Sequence, residues 1–140
     1  MALGRGRALI VSAATLLTLV GLLWVLHGVG LLVDAQTAMA GISAGPSVTR
    51  ATAVAYLVVG GCLLGAAAAA FLRRQSALVL GVASALLFAV DGFIANQVLF
   101  DTSRLPHDTA NVVLATLIIF FLVAGRKAAR PRAEPLSGQS

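Results

Sequence analysis

Charge is scarce in this chain. Only 11% of its 140 residues are Asp, Glu, Lys or Arg, against ~25% in an ordinary soluble domain. Too few charged side chains remain to clothe a water-facing surface. Cysteine is nearly absent as well. Cys62 stands alone, which excludes an internal disulfide and any paired-thiol redox or zinc motif, and leaves the compartment undefined by cysteine usage. No HExxH, GxSxG or GxxxxGK[ST] pattern occurs, so metalloprotease, serine-hydrolase and P-loop chemistry have no foothold. With no catalytic motif and no length to spare for a separate soluble domain, a non-enzymatic role is expected ahead of an enzymatic one.

What the chain has in abundance is apolar sequence. Hydrophobic residues make up 59%, and the mean hydropathy is +0.98. Four runs stand out: Ala8–Val33, Ala51–Leu72, Gln75–Phe100, in which Asp91 is the only charge, and Thr109–Gly125. About 20 apolar residues cross a ~30 Å hydrocarbon core. The first and third runs exceed that and can tilt, whereas the fourth is near the lower limit and should stand upright. None shows the charged face that a water-exposed helix needs. The expected fold is therefore all-α: an integral membrane four-helix bundle over residues 1–127, followed by a disordered, basic tail over 128–140 containing Pro131, Pro135 and Gly138. Gly125 before Arg126-Lys127 reads as the end of the last helix. The 34–50 stretch, with Gly41, Gly45 and Pro46, reads as an irregular loop.

The net charge of +5 would suggest nucleic acid in a soluble protein. Here the basic residues flank the apolar runs, so no nucleic acid partner is expected, only the lipid bilayer. Arg5, Arg7, Arg73, Arg74, Arg126, Lys127, Arg130 and Arg132 fall on one side, and only Arg50 and Arg104 on the other, together with Asp34, Asp101 and Asp108. Basic residues collect on the cytoplasmic side of membrane proteins. Both termini and the 73–74 turn should therefore face the cytoplasm, in a cell membrane of bacterial inner-membrane type. Ala38-Met39-Ala40 resembles a signal cleavage site, but the first apolar run is much longer than the ~7–15 residues of a signal core.

Two features carry what functional information there is. The first is small residues at four-residue spacing: Gly61, Gly65 and Ala69 in the second span, and Ala77, Gly81, Ala85 and Ala89 in the third. Such stripes let helices approach closely in lipid. They predict a tight crossing of spans two and three, or an interface for a second copy or a partner subunit. Gly21 and Gly28 share a face of the first span. The second feature is polar residues inside the apolar runs, which are costly in hydrocarbon and need partners. Counting from the outer helix ends at 1.5 Å per residue, His27 lies ~9 Å deep, Tyr56 ~8 Å, Asn96 ~6 Å and Asp91 ~13 Å. Asn111 and His107 sit at the outer start of the fourth span. All four helices thus bring polar groups to the outer half, and His27 and Tyr56 are the expected partners of Asp91. Trp24 reads as an interface anchor. No cofactor is implied, and His27, His107 and Asp91 lack the spacing of a metal site.

Gly21-Leu22-Leu23-Trp24 through His27-Gly28, followed by Val59-Gly60-Gly61-Cys62-Leu63-Leu64-Gly65 ahead of Arg73, resembles the small bacterial four-span membrane proteins of the DoxX-like kind. The likeness covers the first two spans and much of the third. The family's basic residue after the first-span glycine is missing, and His27 or Asp34 occupies that neighbourhood. The resemblance implies an accessory subunit of a membrane complex, of redox or oxidative-stress type. Small multidrug exporters share the size and span number but carry a Glu in the first span, where this chain has no acid. Two further activities stay open. One is a proton-coupled transporter or channel using Asp91. The other is a lipid- or quinone-binding protein or enzyme with a polar pocket in the outer half.

Overall fold

The computed structural model describes residues 2–38, 41–100 and 105–129. They form α1 (Ala2–Val33), the short α2 (Ala35–Ala38), α3 (Pro46–Phe71), α4 (Ala77–Leu99) and α5 (Leu105–Ala129). The chain is thus all-helical among the described residues. Its four long helices are each long and apolar enough to cross a membrane, with mean hydropathy between 2.0 and 2.4 in their most apolar stretches.

The helices run past the charges that bound the apolar runs. α3 starts at Pro46, ahead of Arg50, because Gly45 is extended (φ −68°, ψ 163°) and a proline in the first turn has no N–H to leave unsatisfied. The loop expected at 34–50 is correspondingly shorter. It holds α2, a left-handed Gly41 (φ 82°) and a backbone hydrogen bond from Ser43 N–H to the Leu99 carbonyl (3.0 Å). α5 likewise continues through Gly125 to Ala129, where a helix end was expected. Gly125 is instead a contact point: a Cβ there would stand 2.8 Å from Ile10 Cγ1 and 3.1 Å from the Gly6 carbonyl oxygen. Arg126 and Lys127 then occupy the last turn, where the helix dipole favours positive charge. Of the tail expected at 128–140, Ala128 and Ala129 belong to α5 and the rest lies outside the described residues. So do Met39, Ala40, Asp101 and Arg104.

Between α3 and α4 the backbone closes with Arg74 N–H donating to the Ala69 carbonyl (2.9 Å) and Arg73 N–H to the Ala70 carbonyl (3.1 Å). This paired closure normally puts glycine in the left-handed position. Here Arg73 takes it, at φ 52°, a conformation that costs an L-residue about 1–2 kcal/mol.

Around the bundle the order is α1, α3, α4, α5 and back to α1, so α1 and α4 face each other across one diagonal. Neighbours are antiparallel, as the pairings of Gly21 with Gly60, Gly28 with Ala53, Gly81 with Leu122 and Gly6 with Gly125 require. α1 and α3 approach closely. A Cβ on Gly60 would lie 2.8 Å from Val25 Cγ2 and 3.0 Å from the Gly21 carbonyl oxygen. The expected seam between the second and third spans is only partly realised. Ala69 and Ala85 are buried and Ser84 Oγ donates to the Cys62 carbonyl (3.2 Å). Gly81, however, packs on Leu122 of α5, Ala77 is only half-buried, and Gly61 and Gly65 face away from the bundle with nothing within 4 Å of a would-be Cβ. One helical position is 100° of rotation, so once Gly60 is committed to α1 its neighbour Gly61 must point elsewhere.

The interior is apolar, centred on Leu17, Leu63, Phe88, Ile118 and Leu122. The outside is apolar too: Leu26 is 68% exposed, Val79 69% and Phe120 59%. Among the described residues, Asp91 apart, the charged side chains lie towards the two ends. Arg5, Arg7, Arg73, Arg74, Arg126 and Lys127 gather at one end, and Asp34, Arg50 and Asp108 at the other.

Candidate functional site

Trp24 lies three residues after Gly21 and four before Gly28, on the face that α1 turns inward rather than on its outer surface. From there its indole reaches across the diagonal of the bundle. Nε1–H donates to Asp91 Oδ2 of α4 at 2.9 Å. The ring meets Phe88 edge-on (centroids 4.6 Å apart, 74°) and leans on Tyr56 of α3 (5.2 Å, 55°). Such tilted and edge-to-face pairs are the geometries aromatic quadrupoles favour. Phe88 is fully buried and Tyr56 is 3% exposed. The α4 residues that meet this assembly recur at three- and four-residue steps: Ser84, Phe88, Asp91 and Gly92, Ala95. Gly92 is required by close approach, since a Cβ there would collide with Asn111 Nδ2 of α5 and reach the edge of the Trp24 ring. Side chains from all four long helices thus converge around one indole. That indole also packs against both apolar clusters of the interior.

The expected polar residues distribute differently from the simple convergence of depths. Tyr56, Asp91 and Asn111 belong to this assembly. His27 does not reach Asp91: its Nδ1 pairs with the Leu23 carbonyl of its own helix at 2.8 Å, and its ring sits 6.3 Å from that of Trp24. The carboxylate's hydrogen-bond donor is Trp24, the residue expected at the interface. Asn96 joins a second, more outward pair, donating from Nδ2 to Asp108 Oδ1 at 2.6 Å. Asp108 is 8% exposed and lies in the first turn of α5, where the helix dipole stabilises a negative charge. Its Oδ2 is buried with no hydrogen-bond partner among the described residues. His107, one residue before it, is exposed. Among the described residues, no three His, Cys, Asp or Glu side chains gather as a metal-binding group.

Two of these roles had readable signals. The flanking glycines place Trp24 on the contact face of α1. Pro106 before Asp108 marks a helix start rather than a loop. No family model matches the chain, nor does any curated protein or solved structure.

Proposed function

We propose that this chain is a multi-pass protein of a cell membrane, of the bacterial inner-membrane kind, with both termini in the cytoplasm, and that it serves as a non-enzymatic partner subunit of a membrane complex. Insertion is supported by the apolar outer surface of all four long helices, which a water-soluble bundle would have to cover. Orientation is supported by the collection of arginines at the end where α1 begins and α5 ends.

The observation that carries the subunit role is the hydrogen bond from Trp24 to Asp91. The one carboxylate deep in the apolar runs is engaged by an indole that ring packing holds in place. A transport site needs a carboxylate that substrate and water can reach in turn, and a lipid or quinone pocket needs space where the Trp24 ring now lies. That hydrogen bond ties α1 to α4, which suits a scaffold. Gly61 and Gly65, by contrast, present an open face on α3 where a partner helix could approach closely. The DoxX-like resemblance of the first two spans adds a redox complex as the setting.

The test is native mass spectrometry of the tagged protein from mild detergent, for wild type, Asp91→Asn and Gly61→Leu/Gly65→Leu. A larger assembly that survives Asp91→Asn and falls apart in the double glycine variant is the expected result. A lone bundle that loses a substrate-dependent proton flux in reconstituted vesicles on Asp91→Asn would move the assignment to transport.

A further inference from the structure

At the end of the bundle where α1 begins and α5 ends, a cavity of about 710 Å³ opens between the four long helices. Its size is within the ~300–1,000 Å³ of small-molecule sites. Four arginines line it: Arg7 from α1, Arg73 and Arg74 from the α3–α4 turn, and Arg126 from α5. Beneath them the walls are apolar, from Phe71, Leu78 and Leu122.

The arginines have no acid near them among the described residues. Asp34 and Asp108 lie at the opposite end, and Asp91 is bonded to Trp24 in the half of the bundle beyond the core. Four basic residues of one sign around one cavity favour an anion there. Guanidinium forks match the paired oxygens of a phosphate. The backbone adds a separate observation. Arg73 occupies the left-handed position of the turn, where glycine is the unstrained choice, and strain of this kind gathers at ligand clamps. A basic rim over an apolar wall fits an amphiphile better than a free anion. We propose that this cavity binds the phosphate headgroup of an anionic phospholipid, with the start of an acyl chain against Phe71, Leu78 and Leu122. The site presupposes the membrane insertion proposed above and would hold one lipid of the cytoplasmic leaflet.

The test uses the full chain in neutral detergent, titrated with short-chain phosphatidylglycerol, phosphatidylcholine of the same chain length, and inorganic phosphate. Thermal unfolding is the readout. Phosphatidylglycerol is expected to raise the midpoint, and the other two are not. Arg73→Gly is expected to raise the midpoint without lipid by relieving the turn, yet to weaken the phosphatidylglycerol response about fivefold. Arg7→Ala/Arg126→Ala weakens it further, about fivefold for each arginine lost. Truncation after Ala129 is expected to leave the response in place. Equal shifts with phosphatidylcholine, or with inorganic phosphate, overturn the proposal. So does an undiminished response in the arginine variants, or one that disappears with the truncated tail. Membrane insertion is scored separately by resistance to alkaline extraction: an inserted protein without lipid selectivity refutes the lipid site alone, and an extractable one refutes the insertion beneath it.

Discussion

A single hydrogen bond joins the Trp24 indole of α1 to the Asp91 carboxylate of α4, which makes the pair open to dissection. Trp24→Phe keeps most of the ring packing but removes the donor, and Asp91→Leu removes the acceptor. Hydrogen bonds between helices in a bilayer contribute less than their setting suggests, ~0.6 kcal/mol on average and up to ~1.7. The two single variants and the double, unfolded in detergent, should give a favourable coupling of about 0.6 to 1.7 kcal/mol. Zero coupling would mean that ring packing on Phe88 and Tyr56 alone seats the indole. His27→Ala, by contrast, removes a bond that stays within one helix, and should change stability by less than about 0.5 kcal/mol. Sequence reasoning singled out Asp91 and expected His27 and Tyr56 as its partners; Asp91 instead accepts from Trp24, against which Tyr56 packs, and His27 bonds within its own helix. Depth can be counted along a helix, whereas rotation about its axis cannot. Here the rotation is set by where α1 meets α3.

That meeting is the element-scale lesson. The four apolar runs were legible because a long unbroken hydrophobic stretch has few other uses. Their ends were less so, because a charge within the last turn or two costs a helix little: Arg50 in α3 and Arg126 and Lys127 in α5 all lie inside the helices. The contact faces were least legible. Gly60 and Gly61 are adjacent and chemically identical, and alanine is spread so widely that several stripes fit four-residue spacing. The structure separates the two glycines, and so does a pair of substitutions. Gly60→Ala forces a methyl against Val25 and the Gly21 backbone, and should destabilise by about 1–3 kcal/mol. Gly61→Ala meets open space and should be neutral or stabilising by up to ~1 kcal/mol, since alanine is the better helix former. Denaturation of the two purified variants decides it. Equal effects would place α1 elsewhere on α3.

At the scale of the whole molecule, the proposed topology can be read with a single thiol. Cys62 is the only native cysteine and is exposed on the outward face of α3. In intact cells a water-soluble, membrane-impermeant maleimide should leave it unmodified, because that face would look into lipid. In a Cys62→Ala background, Ser47→Cys at the start of α3 should react in intact cells, and Gln75→Cys in the opposite turn only after permeabilisation. The reverse pattern would invert the orientation inferred from the arginines.

A ring of four rods packed mainly side to side has one soft deformation: the square can rack into a rhombus with the side contacts preserved. α1, α3, α4 and α5 form such a ring, and Trp24 runs from one corner to the opposite one, tied to Asp91 and wedged against Phe88. It works as a diagonal brace. Shortening it in Trp24→Ala should leave helix content intact while freeing the frame to shear. The loss would then register as broadened spectra and looser spacing between α1 and α4, rather than as unfolding of any one helix.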